Sequence, residues 1–243
     1  MRCAGVCPVH AIGEGLTIDR EICTAGNEND PCARCIAVCP QKALSVDSRY
    51  YTLDETLVVL RQDIPFYEES GGGVTLSGGE ALLQRQFAVE LLKALKNEKI
   101  HTAMETSGFA SPECFTEISR LTDLLLFDLK HYDGIRHMEG TGVQNTLILS
   151  NLKNAIDSGL RVLPRIPVIP GYNDSPDDAR GFTGIFESMG IKSVQLLPFH
   201  QLGEMKYGLL NLPYAMKGIP QLHPEDLAEY RRIFLDRGID CFF

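Results

Sequence analysis

No run in the chain approaches the roughly 18 consecutive apolar residues that a membrane-spanning helix requires. Residues 1–20 also lack the basic start and apolar stretch of a secretory leader. Nor is there a block of Lys and Arg: 23 basic residues stand against 32 acidic ones, a net charge of −9. A general footprint for nucleic acid or anionic membrane is thereby disfavoured, and a cytoplasmic, reducing location is expected. The 243 residues, 44% apolar and 23% charged, match the usage of folded globular proteins, with enough chain to bury a core without disulfide staples. The glycine-rich run GGGVTLSGGE at 71–80 is not followed by GK[ST], which excludes a nucleotidase phosphate loop.

Cysteine breaks this even composition. Six of eight fall in the first 39 residues, at Cys3, Cys7, Cys23, Cys32, Cys35 and Cys39, while Cys114 and Cys241 stand alone and are expected as buried free thiols. In a reducing compartment such a cluster points to metal or redox chemistry. Cys32-x2-Cys35-x3-Cys39-Pro40 is the tail of the bacterial ferredoxin run, in which the Cys before Pro ligates the other of two iron–sulfur cubes. Cys3-x3-Cys7-Pro8 repeats it, and CPVHAI at 7–12 parallels CPQKAL at 39–44. Cross-ligation gives one complete 4Fe–4S set, Cys7 with Cys23, Cys32 and Cys35, and one partial set, Cys3 with Cys39. Cys23 is the least secure ligand, because eight residues, 24–31, replace the usual two after it. A four-cysteine zinc site also uses CxxC pairs but leaves the two CP tails and the repeat unexplained.

Beyond this module, expected over 1–50, the pattern changes to helices alternating with short strands, the signature of a parallel sheet covered by helices. Strands are expected at 73–77, 101–106, 123–127, 161–165, 192–197 and 239–243. Helices are expected at 53–70, with a break or restart at Pro65, and at 82–99, 143–158, 175–188 and 224–237. The 193 residues from 51 to 243 fall short of the roughly 250 of a full eight-unit barrel, so a partial (βα) barrel of five or six units is expected.

In such a barrel the carboxyl ends of successive strands converge on one face. Here they deliver Gly78, Gly79 and Glu80, then Glu105 and Thr106, then Asp128 and Lys130, then Arg165, then Phe199 and His200. Acids suit an ammonium, Lys130 and Arg165 suit a carboxylate, and His200 beside Phe199 suits a flat ring. An adenosyl sulfonium carrying an amino acid uses every one of these groups.

The stretches GGGVTLSGGEALLQ (71–84), METSGF (104–109), LLFDLKHYD (125–133), TGVQNTLILSNL (141–152), RIPVIPGYND (165–174) and LLPFHQLGEMKY (196–207) closely resemble the glycyl-radical enzyme activating enzymes of the radical S-adenosylmethionine superfamily, in particular those with a two-cluster ferredoxin insert. The resemblance implies an α/β fold, a partial radical SAM barrel behind the ferredoxin-like module. It places Gly78, Gly79 and Glu80 at the methionine amino group, and Asp128, Lys130 and Arg165, with Leu129 between them, around the carboxylate. His200 then lies near adenine, and Glu105, Thr106 and Asp128 lie beside a monovalent cation. It further implies a glycyl-radical enzyme as protein substrate and a flavodoxin or ferredoxin-type electron donor, with no nucleic acid and no membrane. Ala81 replaces the family's usual Pro, and Lys206 and Tyr207 match a loop motif to which no role is assigned. The CxxxCxxC motif that holds the family's catalytic cube does not occur in the sequence. On that ground an N-terminally truncated and inactive chain is expected, the alternative being an electron-transfer or binding module without radical chemistry.

Overall fold

A computed structural model describes residues 2–25, 32–45, 49–210 and 212–243. In chain order the helices are α1 (Arg2–Val6), α2 (Arg34–Ala37), α3 (Leu53–Leu60), α4 (Ile64–Ser70), α5 (Arg85–Asn97), α6 (Pro112–Ser119), α7 (Gly134–Thr141), α8 (Thr146–Asp157), α9 (Pro176–Ser188), α10 (Glu204–Leu209) and α11 (Ala228–Asp236). The strands are β1 (Gly73–Leu76), β2 (His101–Thr106), β3 (Leu124–Asp128), β4 (Val162–Val168), β5 (Ser193–Pro198) and β6 (Asp240–Phe242).

Two compact units result, one of residues 1–51 with 202–217 and one of 52–201 with 218–243. The segment 202–217, grouped with the barrel on sequence alone, therefore belongs to the first unit, where the Arg20 Nε donates to the Leu210 carbonyl at 3.3 Å.

In the second unit the six strands lie side by side in sequence order, all parallel, the partial barrel expected. Helix boundaries follow local chemistry. Thr52 and Ser175 close capping boxes with Glu55 and Asp178, Pro65 opens α4, and Asp133 takes the first N–H groups of α7. Between sheet and helices lies an apolar layer in which Phe115, Phe127, Phe182, Phe186 and Phe234 are fully buried, each burial stabilising by about 2–3 kcal/mol.

Strand alternation divides the side chains between two faces. Met104, Leu125, Phe127, Ile166, Val194, Leu196 and Cys241 enter the helix-covered core. Their neighbours Glu105, Leu126, Asp128, Arg165, Gln195, Leu197 and Phe242 therefore line the opposite, concave face. Register places Asp128, Arg165, Gln195 and Phe242 in one row across β3 to β6.

Candidate functional site

Past β1 the chain turns through Gly78, whose φ of 120° is open to glycine rather than to L side chains. Glu80 then folds back over the end of β2. Its carboxylate accepts from Thr106 Oγ1 at 2.7 Å, Ser107 Oγ at 2.7 Å, Ser107 N–H at 3.0 Å and Leu82 N–H at 3.3 Å. A carboxylate offers about four lone-pair positions, so Glu80 is spent as a brace between two strand ends. What stays open is the main chain before it: a Cβ built on Gly78 or Gly79 meets nothing within 4 Å. The open space there lets a ligand approach the main chain closely.

Deeper on the concave face, Arg165 donates through Nε to Asp128 Oδ1 and through Nη1 to Glu105 Oε1, each at 2.8 Å, and Ser77 donates to the other Glu105 oxygen. The Arg165 side chain is only 10% exposed. Burial alone would lower its pKa, but the bonds to Asp128 and Glu105 outweigh it and hold the guanidinium firmly charged. Ser77 and Arg165 together hold the Glu105 carboxyl below its usual range. Arg165, expected at a ligand carboxylate, is thus committed to two protein carboxylates. Lys130, next on the same face, forms no ion pair among the described residues and remains the cation available to a ligand. Leu129 reaches the rim only through its main chain, which donates to the Arg165 carbonyl at 2.9 Å; its side chain is fully buried in the core on the other face. His200, two residues beyond β5, is exposed.

Three buried asparagines fix the loops that carry these groups; they lie within the stretches TGVQNTLILSNL and RIPVIPGYND, but spacing alone assigns them no role. Asn173, fully buried, donates to the carbonyls of Lys130 at 2.8 Å and Pro167 at 2.9 Å and accepts from Ile169 N–H at 2.7 Å. Asn145 donates to the carbonyls of His131 and Tyr132, and Asn151 to those of Gly108 and Ala110. His131 packs behind the Lys130 loop against Tyr132, Tyr172 and Phe182, where burial pushes its pKa down.

In the first unit the cysteine repeat is visible in the backbone. Ala11 N–H donates to Cys7 Sγ at 3.3 Å and Ala43 N–H to Cys39 Sγ at 3.2 Å, while His10 and Lys42, three residues after each cysteine, share positive φ values of 52° and 50°. Those N–H bonds pull both thiols below their usual range, toward the thiolate that ligates metal. Burial raises the Cys35 thiol, with smaller additions from Cys32 and Cys23. All six thiols are free, and among the described residues no three His, Cys, Asp or Glu side chains converge to hold a metal ion. The expected long gap after Cys23 lies mostly outside the described residues, at 26–31.

The profile of the Radical SAM superfamily matches residues 37–182, a span that includes every rim residue from Gly78 to Arg165. The chain belongs to the radical SAM superfamily. It is 44% identical over 192 residues to the choline trimethylamine-lyase activating enzyme of Oleidesulfovibrio alaskensis, covering 77% of this chain and 62% of that one. It is 39% identical over 217 residues to the isethionate sulfite-lyase activating enzyme of Nitratidesulfovibrio vulgaris, covering 87% and 69%. This radical SAM chain thus spans somewhat under two thirds of the first relative's length. Its fold aligns with the crystal structure of a domain of pyruvate-formate lyase-activating enzyme from Bacteroides vulgatus at a TM-score of 0.59 and 28% identity, over 71% of this chain and 99% of that one.

Proposed function

We propose that this chain carries the S-adenosylmethionine pocket of a glycyl-radical enzyme activating enzyme. One observation carries the reading. Glu80, Glu105 and Asp128 against Lys130 and Arg165 leave the rim at −3 + 2 = −1, beside an open stretch of glycine backbone. S-adenosylmethionine is its complement, a molecule of net charge about +1 with an ammonium, a sulfonium and a carboxylate. The open main chain at Gly78 and Gly79 suits the ammonium, the unpaired Lys130 the carboxylate, and the exposed His200 the adenine edge.

S-adenosylmethionine with a reduced iron–sulfur cube would, when bound, supply the radical chemistry for removing hydrogen from a backbone glycine of a partner enzyme. The chain's own residues bind and orient. Glu80 stiffens the β1 and β2 ends. Arg165 gathers Asp128 and Glu105 so that their charge faces the sulfonium side, and Glu105, Thr106 and Asp128 would flank a monovalent cation there. In the first unit, Cys7, Cys23, Cys32 and Cys35 would hold one 4Fe–4S cube, with Cys3 and Cys39 directed to a second. The lowered thiols of Cys7 and Cys39 suit that role, and metal binding would draw the ligands together. A glycyl-radical enzyme is the partner, and a flavodoxin or ferredoxin-type protein the electron source.

Calorimetric titration with S-adenosylmethionine in the absence of reductant tests the pocket. Binding is expected, weakened about tenfold in Lys130→Ala through loss of a charge-assisted contact. Absence of binding by the unmodified chain overturns the reading.

A further inference from the structure

We infer that His131 is a positioning residue for Lys130: its unprotonated Nδ1 ties down the turn that follows the lysine, and the pocket loses grip on its ligand when that nitrogen gains a proton. This assignment deepens, and rests on, the S-adenosylmethionine reading above.

The turn from Lys130 to Asp133 joins β3 to α7. Asn173 donates to the Lys130 carbonyl at 2.8 Å, and Asn145 donates to the carbonyls of His131 at 3.1 Å and Tyr132 at 2.7 Å. Those amides do not titrate. A fourth link does: the Asp133 N–H donates to His131 Nδ1 at 3.0 Å. Asp133 is the N-cap of α7, its carboxylate accepting from the Ile135 and Arg136 N–H groups, so this bond sets where the helix begins.

A ring nitrogen that accepts carries no proton, so the neutral ring keeps its hydrogen on Nε2. The His131 side chain is only 1% exposed, and Nε2 has no hydrogen-bond partner among the described residues. Asp178 Oδ1 of α9 stands 3.5 Å from it, longer than the usual limit of about 3.2 Å, while the other Asp178 oxygen is taken by the Ser175 N–H and hydroxyl. An imidazolium would gain attraction from Asp178 but would place a second hydrogen at Nδ1, directly against the Asp133 N–H. Two donors would then meet, and the link would open.

The groups facing the ring come from each element packed on it: Asp178 from α9, Arg136 and Asp133 from the start of α7, Tyr172 from the loop before α9 and Tyr132 from its own turn. Tyr230 of α11, beyond Phe182, Phe186 and Phe234, is kept protonated by burial, with Asp178 adding to the effect. Burial lowers the ring's pKa from its ordinary 6.5; Asp178, Asp133 and the Tyr172 main chain act upward, Arg136 acts downward, and the net is downward. The neutral ring therefore prevails at pH 7, and the link opens only in acid.

His131→Asn supplies the test, because an Asn oxygen accepts from the N–H two residues on, as in an Asx turn, and does not titrate. S-adenosylmethionine without reductant is titrated by calorimetry into both proteins at about pH 7.5 and about pH 5.5, on either side of the ordinary histidine range. His200 and the ligand's own groups titrate alike in both, so the difference isolates His131. The two proteins are expected to bind equally at the higher pH, and the unmodified chain about fivefold more weakly than His131→Asn at the lower one, the worth of about one hydrogen bond. The same pH dependence in both overturns the assignment. Ring nitrogen NMR of the unmodified chain, with His131 assigned through its stacked neighbour Tyr132, is expected to show Nε2 protonated and Nδ1 bare. A proton on Nδ1 overturns the assignment and leaves the pocket standing. No binding by the unmodified chain at either pH overturns the pocket and, with it, the positioning role.

Discussion

Replacing Arg165 by Met removes the guanidinium that holds Asp128 and Glu105 on one face, and its cost depends on pH in a way that a packing change does not. Two charge-assisted bonds of 2.8 Å disappear. Breaking a fully buried ion pair costs about 3–5 kcal/mol because the orphaned charges stay desolvated. Here Asp128 keeps 22% and Glu105 34% of its side-chain surface, so water relieves part of that penalty and about 2–3 kcal/mol is expected at pH 7. In the native protein Glu105 is held below its usual pKa. A depressed carboxyl contributes stability above its unfolded pKa, and that stability fades as the pH falls through the folded value. The variant lacks Arg165's share of that contribution and adds repulsion between two carboxylates, which protonation abolishes. The difference between the two proteins should therefore be full above about pH 5 and shrink toward pH 3. Urea titrations followed by circular dichroism at pH 7, 5 and 3.5 measure it. A difference under about 0.5 kcal/mol at pH 7, or one unchanged across that range, would refute the reasoning.

Asn173→Ala strands the Lys130 and Pro167 carbonyls and the Ile169 N–H in the interior, so a loss of about 2–4 kcal/mol is expected in the same titration. Asn173→Asp keeps the acceptor for Ile169 N–H but sets a buried carboxylate against two carbonyl oxygens, so it should recover none of the loss. Among the thiols, burial pushes Cys241 up to about 12 while Cys7 and Cys39 are lowered. Iodoacetamide at pH 8 followed by peptide mass spectrometry should label Cys7 and Cys39 first and leave Cys241 untouched in the native state; equal labelling contradicts the burial.

The strands were legible because their apolar runs are short, regularly spaced and bounded by glycine or charge. The sheet carries them at nearly the expected bounds, from Gly73–Leu76 to Asp240–Phe242. β4 runs three residues further than expected, to Val168, despite Pro164 and Pro167. The missing N–H groups weaken the sequence signal, but Asn173 takes the Pro167 carbonyl and closes the strand's end. Helices α6 and α7 were not anticipated: each is eight residues long, too short for a clear apolar period, and is announced only by its cap, Ser111-Pro112 and Asp133-Gly134.

The rim was legible as a set of residue types but not as a network, because lateral pairing is a property of register. Nothing in the spacing from Glu105 to Asp128 to Arg165 says that strands two, three and four align so that one guanidinium reaches both acids. Once it does, the division of labour changes. Arg165 and Glu80, the two most conspicuous charged groups for a ligand, become the internal frame, and in the proposed pocket binding falls to what the frame leaves free: glycine backbone and Lys130. The groups that bind a mobile ligand must be unsatisfied without it, whereas those that preorganise the pocket must be satisfied already. By that criterion the partners a side chain lacks point to its role more directly than its charge does.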